Sequence, residues 1–230
     1  MTTLVWDKLS ERRFETGLDR GVLYYPNGFG VPWNGLVSIV EKSDVTVEPL
    51  YFDSVKYNDA VEIGEFSATM SAYTYPDEFI EVEGAATTNS GLTLYNQPQK
   101  RFHLSYRTRV GNALDNEADY KIHVLYNLLA VPSDKTRSSI TDNQDPNVFE
   151  WSITAIPVDI PNHRSTEHIA FDTRKVSAGL ISRIEDILYG TELTKAFLPE
   201  AQFFMGMTNN WFDILSSAEV IDLAKTWRIK

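Results

Sequence analysis

The sequence is dominated by segments in which apolar and polar residues alternate one by one. In residues 101–107, Phe102, Leu104 and Tyr106 alternate with polar or charged neighbours. Three further segments show the same alternation, residues 66–74, 120–128 and 148–158. Side chains of a β-strand point alternately to opposite faces of the sheet, so this period predicts strands with one buried and one polar face. Several such strands in succession predict an antiparallel β-sandwich or barrel.

Two other segments have the spacing of helices. Apolar residues recur every three or four positions in residues 176–189, and Gly190 follows where a helix C-cap belongs. A second helix is predicted over residues 216–227, because Ser216 and Glu219 have the spacing of a capping box. The predicted fold class is therefore mainly β: an antiparallel β-sandwich or barrel with one flanking α-helix, long loops and a C-terminal helical extension.

Residues 84–100 and 132–147 are polar and rich in turn-forming residues, which predicts two long loops. By contrast, residues 193–215 are apolar and aromatic but have no period. Such a segment either packs over the core of its own chain or contacts a partner. We therefore expect a β domain over residues 1–190, followed by an extension over residues 191–230 that packs on the core or on neighbouring subunits.

The charge balance excludes one class of partner. The 230 residues carry 21 Lys and Arg against 32 Asp and Glu, a formal net charge of −11, which argues against wrapping a nucleic acid. The acidic excess is greatest in residues 41–83, with eleven acidic and two basic side chains. This stretch is either a solvated acidic face or a surface that repels a polyanion. The opposite charge is concentrated at Lys100, Arg101, Arg107 and Arg109, a patch suited to the acidic stretch of another copy.

No pattern in the sequence indicates catalysis. The chain has no cysteine, no phosphate-binding glycine loop, no dinucleotide fingerprint and no nucleophile elbow. His163 and His168 are five residues apart, which is not the spacing of a helical zinc motif. His103 and His123 fall on the polar sides of two strands, which favours exposed or cross-strand histidines over catalytic ones. We expect no enzyme activity, no cofactor and no metal.

Membrane insertion and export are not expected either. The longest apolar runs are a few residues, whereas a membrane-spanning helix needs about 20. The first 25 residues contain several charged side chains and no apolar core of the kind found in signal peptides. The expectation is a protein made in a cytoplasm, with no membrane partner.

Several strings of residues resemble the major tail proteins, or tail tube proteins, of long-tailed siphovirus-type bacteriophages. The most distinctive is Tyr73-Thr74-Tyr75-Pro76-Asp77-Glu78-Phe79. In order along the chain, the strings are 6–8 (WDK), 11–24 (ERRFETGLDRGVLY), 31–36 (VPWNGL), 66–79 (FSATMSAYTYPDEF), 104–112 (LSYRTRVGN), 120–123 (YKIH) and 184–190 (IEDILYG). The resemblance spans residues 4–190 and leaves out the C-terminal segment.

The resemblance implies a β-sandwich similar in fold to the tube protein of bacterial type VI secretion. It implies rings, of six copies in this family, that stack into a hollow tube for genome ejection. The implied partners are other copies of the chain and other tail proteins, namely tape measure, tail terminator and tail tip, with viral DNA only transiently in the lumen. The implied location is the virion tail, assembled in the host bacterial cytoplasm.

An acidic inner wall would keep DNA sliding by repulsion, and Glu62 and Glu65 are the candidate lumen-facing residues. The candidate contacts between subunits are basic and apolar side chains: Lys100, Arg101, Arg107 and Arg109, and Phe197, Phe203, Phe204, Trp211 and Phe212.

Two alternatives remain open from the sequence. A minor or distal tail protein, or a capsid decoration protein, shares the β-rich, acidic and cysteine-free profile. A carbohydrate-binding module or enzyme would use tryptophan and tyrosine as a sugar platform. The five tryptophans are scattered along the chain, and Trp151 has the buried parity of its strand, which weighs against this second alternative.

Overall fold

The computed structural model describes residue 6 and residues 8–42, 44–115, 118–133, 146–208 and 217–227. These residues form twelve strands, four α-helices and a short 3-10 turn at Leu9–Glu11. The strands are β1 (Arg13–Tyr24), β2 (Gly30–Pro32), β3 (Leu36–Lys42), β4 (Val45–Phe52), β5 (Val55–Ile63), β6 (Ser67–Ala72), β7 (Ala86–Thr87), β8 (Thr93–Leu94), β9 (Phe102–Asn112), β10 (Asp119–Pro132), β11 (Phe149–Ala155) and β12 (His168–Asp172). The helices are α1 (Phe79–Val82), α2 (Ala178–Tyr189), α3 (Ala201–Thr208) and α4 (Ser217–Thr226).

The mainly β, antiparallel fold class is confirmed. The four alternating segments of the sequence form β6, β9, β10 and β11. Eight strands make one antiparallel sheet in the order β2-β1-β9-β10-β11-β6-β3, with β12 paired to β10. The long strand β10 pairs with β9 along one edge. Along its other edge, Lys121–Leu125 pair with β12 and Leu128–Pro132 pair with β11.

The sheet curls without closing. The phenol of Tyr106 in β9 donates a hydrogen bond of 2.8 Å to Glu41 Oε1 in β3, the last strand of the sheet order. Within the described residues, however, no backbone ladder joins β3 to β1 or β2, so a closed barrel is not formed. The first half of β1 and the outer side of β3 are therefore two unpaired strand edges.

One core lies inside the curl of the sheet. Trp151 of β11 is fully buried there and contacts the rings of Trp33, Tyr75 and Phe79. The other side of the sheet carries a second core under the helices. Ile122, Val124 and Tyr126 of β10 pack there with residues of α2, α3 and α4. Because both sides are covered, β9 and β10 are buried on both faces along most of their length, and the polar face predicted from their alternation is not solvent-exposed.

The helix predicted over residues 176–189 is α2. The Ser177 hydroxyl accepts a hydrogen bond of 3.4 Å from the backbone N–H of Leu180, which caps the first turn. Gly190 follows the helix with φ of 80°, and a Cβ there would lie 2.7 Å from the Thr194 carbonyl oxygen. Glycine at this position is therefore required by both the backbone angle and the close approach of the next turn.

The C-terminal segment contributes to the core of this chain. Phe197, Leu198 and Phe204 are at most 3% exposed, and they share one apolar cluster with Ile184 of α2 and Val220 of α4. Helix α3 was not predicted, because its residues are apolar all round and give no helical stripe; such a helix is stable where every face is covered.

The second predicted helix and the two predicted long loops compare with the structure as follows. The second predicted helix corresponds to α4, while its proposed cap Ser216 lies outside the described residues. The predicted loop over 84–100 contains the two-stranded pair β7–β8. Most of the loop predicted over 132–147, residues 134–145, also lies outside the described part of the chain.

Candidate assembly surfaces

A two-stranded hairpin stands apart from the main sheet. Strands β4 and β5, residues 45–63 and called the arm below, pair only with each other in the described part of the chain, with Val47 opposite Val61. Asp53 and Ser54 at its tip have φ of 49° and 62°. Two consecutive residues with positive φ form the turn whose twist matches a two-residue hairpin. The arm is therefore a regular hairpin that is not hydrogen-bonded into the main sheet among the described residues.

The arm exposes apolar side chains along its length. On one face, Val45, Val47 and Val61 are 49% to 58% exposed. Nearer the tip, Phe52 and Tyr57 are 68% and 79% exposed, and their rings contact each other with centroids 6.3 Å apart. Contiguous exposed apolar surface on a folded protein marks a place where another surface binds.

Both candidate lumen residues lie on or beside the arm. Glu62 is in β5, opposite Thr46 on the face away from Val47 and Val61. Glu65 lies in the connection from β5 to β6. Both are exposed. Glu62 therefore lies on the opposite face of the arm from the exposed valines.

The four candidate basic residues divide into two pairs. Arg107 and Arg109 both donate hydrogen bonds to the carboxylate of Asp19 in β1. These bonds, mainly those from Arg107, hold the pKa of Asp19 below its ordinary value. Lys100 and Arg101 lie at the other end of β9, about 20 Å away by the rise of a strand. The structure thus brings together Arg107 and Arg109 but not all four.

Lys100 and Arg101 also have partners within the chain. Lys100 forms an exposed ion pair of 2.6 Å with Glu81. The Arg101 guanidinium donates a 2.7 Å hydrogen bond to the carbonyl oxygen of Asn127. All four basic side chains are thus bound by groups of their own chain, and a contact with another copy would have to share or replace these bonds.

The candidate apolar contacts divide into residues buried in this chain and residues that the structure does not describe. Phe197, Phe203 and Phe204 are core residues of this chain, at most 3% exposed, so they offer no surface to another subunit. Trp211 and Phe212 lie outside the described residues. The arm was not predicted from the sequence. The signal was present in the alternation of Val45 and Val47 with polar residues and in the Asp53-Ser54 turn.

A polar cluster occupies the cleft between the unpaired edges of β1 and β3. The histidine cluster consists of Glu15, Glu41, Tyr106, Thr108, His123 and His168. Its cleft has a volume of about 490 Å³. His123 Nδ1 lies 2.9 Å from His168 Nε2, and His168 Nδ1 lies 3.5 Å from Glu41 Oε2. Contact with His168 holds the pKa of Glu41 down at about 2.

His103 and His123 are both buried, so the expectation of exposed histidines is wrong for them. The cross-strand alternative holds for His123, whose ring stacks on Tyr106, its partner in β9, with centroids 4.8 Å apart. The backbone N–H of Asn127 donates to His103 Nδ1 over 3.1 Å. Burial lowers the pKa of each histidine to about 4, with the neighbouring His168 also lowering that of His123.

Among the described residues, no group of three or more His, Asp or Glu side chains has an arrangement that would hold a metal ion. No helix in the described part of the chain is long and apolar enough to cross a membrane.

No family model matches the sequence, and no curated protein shows a significant sequence match to it. Similarity to solved structures is distant. One is a chain of the sheath–tube complex of an extracellular contractile injection system, PVC, in the extended state. It is 10% identical with a TM-score of 0.39, over 67% of this chain and 89% of that chain. Another is a chain of the tube-terminating cap of the anti-feeding prophage, 11% identical with a TM-score of 0.34, over 75% of this chain and 97% of that chain. A third, from the PVC sheath/tube terminator, is 15% identical with a TM-score of 0.30, over 66% and 93% of the two chains.

Proposed function

We propose that this protein is a non-enzymatic structural subunit of a siphovirus-type phage tail tube, and that its copies bind one another through the arm. The observation that carries the proposal is the arm itself: a regular hairpin whose apolar side chains are exposed and whose strands pair only with each other among the described residues. The tail-tube strings of the sequence, which include Tyr73–Phe79, point to the same class of protein.

The arm and the open sheet edges supply complementary means of assembly. Val47 and Val61 would be buried against the next copy, which adds the hydrophobic stabilisation that the isolated arm lacks. The backbone N–H and C=O groups at the unpaired edges of β1 and β3 can form hydrogen bonds with strands of a neighbouring copy. When one surface of a copy binds a different surface of the next, the copies form a ring if the rotation that relates neighbours adds up to a full turn. Hexameric rings stacked into a hollow tube are the form we propose.

In this tube, Glu62 and Glu65 would face the lumen and repel the phosphates of passing DNA. The partners would be further copies of the chain and the tape measure, tail terminator and tail tip proteins. The protein would reside in the virion tail after assembly in the host cytoplasm. No cofactor or membrane has a part in this function.

Negative-stain electron microscopy of the concentrated protein tests the proposal, together with light scattering at low concentration. Rings or hollow tubes with a regular axial repeat are expected. A strictly monomeric protein that also fails to polymerise on purified tail-tip complexes would contradict it.

Two variants test whether assembly depends on the arm or on any exposed apolar residue. Val47→Lys with Val61→Lys should abolish tubes and leave the monomer folded, because both side chains are more than half exposed. Leu193→Lys is the matched control, since Leu193 is 95% exposed and lies far along the chain from the arm. Normal tubes from the double arm variant would remove the arm from the assembly.

A minor or distal tail protein or a capsid decoration protein is the second candidate, since an exposed arm also suits a subunit that binds a different protein. Copy number per virion distinguishes the two, because a tube subunit is present in scores to hundreds of copies.

A further inference from the structure

A small cavity lies between the start of α3, the start of β9 and the middle of β10. Its lining includes His103 of β9, Asp159, and Glu200, Ala201 and Gln202 at the start of α3. Its volume is about 280 Å³, below the range of about 300–1,000 Å³ that is usual for the pockets of cofactors and drug-sized ligands. The cavity therefore has room for a group of side-chain size.

His103 offers a hydrogen-bond donor to this cavity. Its Nδ1 accepts a hydrogen bond of 3.1 Å from the backbone N–H of Asn127, so the hydrogen of the neutral ring is on Nε2. Although His103 is only 2% exposed, Nε2 has no hydrogen-bond partner among the described residues. Within the same residues, the phenol oxygen of Tyr189 is the only fully enclosed side-chain nitrogen or oxygen that lacks a partner. The Nε2–H of His103 is therefore not enclosed, and it faces the cavity that the ring lines.

The first turn of α3 adds backbone donors to the same cavity. The N–H groups at the start of an α-helix have no acceptor within the helix, and that end of the helix carries a partial positive charge. The N–H of Glu200 donates to the carbonyl oxygen of Trp227, and the N–H of Phe203 donates to that of Glu200. In the described part of the chain, the N–H groups of Ala201 and Gln202 form no such bond. Donors without an acceptor therefore come from both β9 and α3.

Two carboxylates line the cavity as well. Asp159 and Glu200 are both exposed, and Asp159 accepts a hydrogen bond of 2.6 Å from the Ser165 hydroxyl. An anionic ligand would satisfy the N–H donors but would lie beside these two negative charges. A cationic ligand would satisfy the carboxylates but would leave the donors of His103 and α3 without an acceptor. A well-matched ligand must therefore both accept and donate hydrogen bonds.

We propose that this cavity binds the carboxamide of an asparagine or glutamine side chain that another protein chain presents. The carbonyl oxygen of the carboxamide accepts from His103 Nε2 and from the start of α3, while its –NH₂ group donates to Asp159 or Glu200. A carboxamide joins an acceptor and two donors on one planar, uncharged group, so it matches both kinds of lining. The inference rests on the cavity alone and is independent of the tail-tube proposal.

A titration of the ¹⁵N-labelled protein at pH 7.5, followed by nuclear magnetic resonance, tests the proposal. The probes are single amino acids blocked by N-terminal acetyl and C-terminal methylamide groups. Blocked glutamine should shift the signals of His103 Nε2 and the Gln202 amide, and both shifts should saturate together. Blocked glutamate, lysine and alanine should bind severalfold more weakly; alanine is the control that has the same peptide groups and no carboxamide. Equal binding of glutamate or alanine would overturn the proposal, as would the lack of a saturable shift with glutamine, which would leave only water in the cavity.

Asp159→Asn combined with Glu200→Gln tests the carboxylates of the lining. Both positions are exposed, so the fold should be retained. Because the variant loses the negative charges and keeps the N–H donors, blocked glutamate should bind it at least as tightly as blocked glutamine does. The control combines Glu81→Gln with Glu192→Gln, two exposed glutamates outside the cavity lining, and should keep the preference for glutamine. An unchanged preference in the Asp159 and Glu200 variant would refute the role of the two carboxylates.

Ala201→Pro tests the donors of α3. Proline is accommodated at the first position of a helix and has no N–H, so the helix should remain and one donor should be lost. Blocked glutamine should then bind severalfold more weakly, with circular dichroism as the check on folding. Ala201→Ser, which keeps the N–H, is the matched control and should bind as the wild type does. Equal binding by the two variants would show that the helix start does not hold the ligand.

Discussion

The guanidinium of Arg107 donates two hydrogen bonds to the carboxylate of Asp19, from Nε over 2.6 Å and from Nη2 over 2.8 Å. The two residues are 88 positions apart in the sequence and face each other across the β1–β9 ladder. Arg109 adds a third bond to the same carboxylate, from Nε over 3.0 Å. The paired geometry fixes β1 on β9 at the point where β1 carries a bulge.

Asp19→Asn should lower the free energy of unfolding by about 1–3 kcal/mol. The change leaves the Arg107 charge without its bidentate partner, and Arg107 is only 14% exposed. Urea denaturation at pH 7 measures the loss. The control is Lys100→Ala, which breaks an exposed pair with Glu81 and should cost under about 1 kcal/mol. Equal effects of the two changes would contradict the structural role of the Asp19–Arg107 pair.

Acid should weaken the fold before the carboxylates titrate. Burial lowers the pKa of His103 to about 4, whereas the unfolded chain has an ordinary value of about 6.5. The unfolded state therefore binds the proton first as the pH falls. The contribution of neutral, buried His103 to the free energy of unfolding is therefore fully present above about pH 6.5. It is lost as the pH falls towards 4, by up to about 1.4 kcal/mol per pH unit.

This pH dependence is measured by urea denaturation between pH 7.5 and 4.5. In His103→Gln, the protein should take up one proton fewer on unfolding, so its free energy of unfolding should fall less steeply as the pH is lowered. The glutamine amide oxygen can still accept the hydrogen bond from the Asn127 N–H. His163→Gln, at an exposed position, should leave the slope unchanged. Identical slopes for all three proteins would exclude His103 as a source of the acid sensitivity.

Phe204→Ala should lower the free energy of unfolding by about 3–5 kcal/mol. The Phe204 ring is 1% exposed and packs on the Phe171 ring, with centroids 5.1 Å apart. Leu193→Ala, in the same C-terminal segment but 95% exposed, should stay within about 0.5 kcal/mol of the wild type. Thermal unfolding followed by circular dichroism checks both. A loss of less than about 1 kcal/mol in Phe204→Ala would contradict the packing role of this ring.

Glu62→Lys combined with Glu65→Lys should leave tubes intact and reduce DNA ejection, because the exposed positions tolerate the exchange while the lysines would attract phosphate. The measurement compares particle counts by electron microscopy with infectivity. Glu192→Lys, at an exposed turn after α2, is the control and should retain infectivity. Fully infectious double-variant particles would remove both glutamates from the lumen.

Several features of the protein are local and follow from its residue pattern alone. The alternation in β6, β9, β10 and β11 and the helical stripe of α2 express the backbone geometry of single elements, so they were predictable without knowledge of their neighbours. The Gly190 cap follows from the same local rules. The antiparallel, mainly β character then follows from the number of such strands.

Which faces of the strands are buried depends on how distant elements pack on them. Helices α2, α3 and α4 cover one side of β10 and the curled sheet covers the other, so His123 is buried although its strand parity is polar. Phe204 is buried in the core of this chain, whereas Val47 and Val61 of the arm are exposed. Burial of a second face depends on which distant parts of the chain pack on it, and the periodicity of a single strand does not specify those partners.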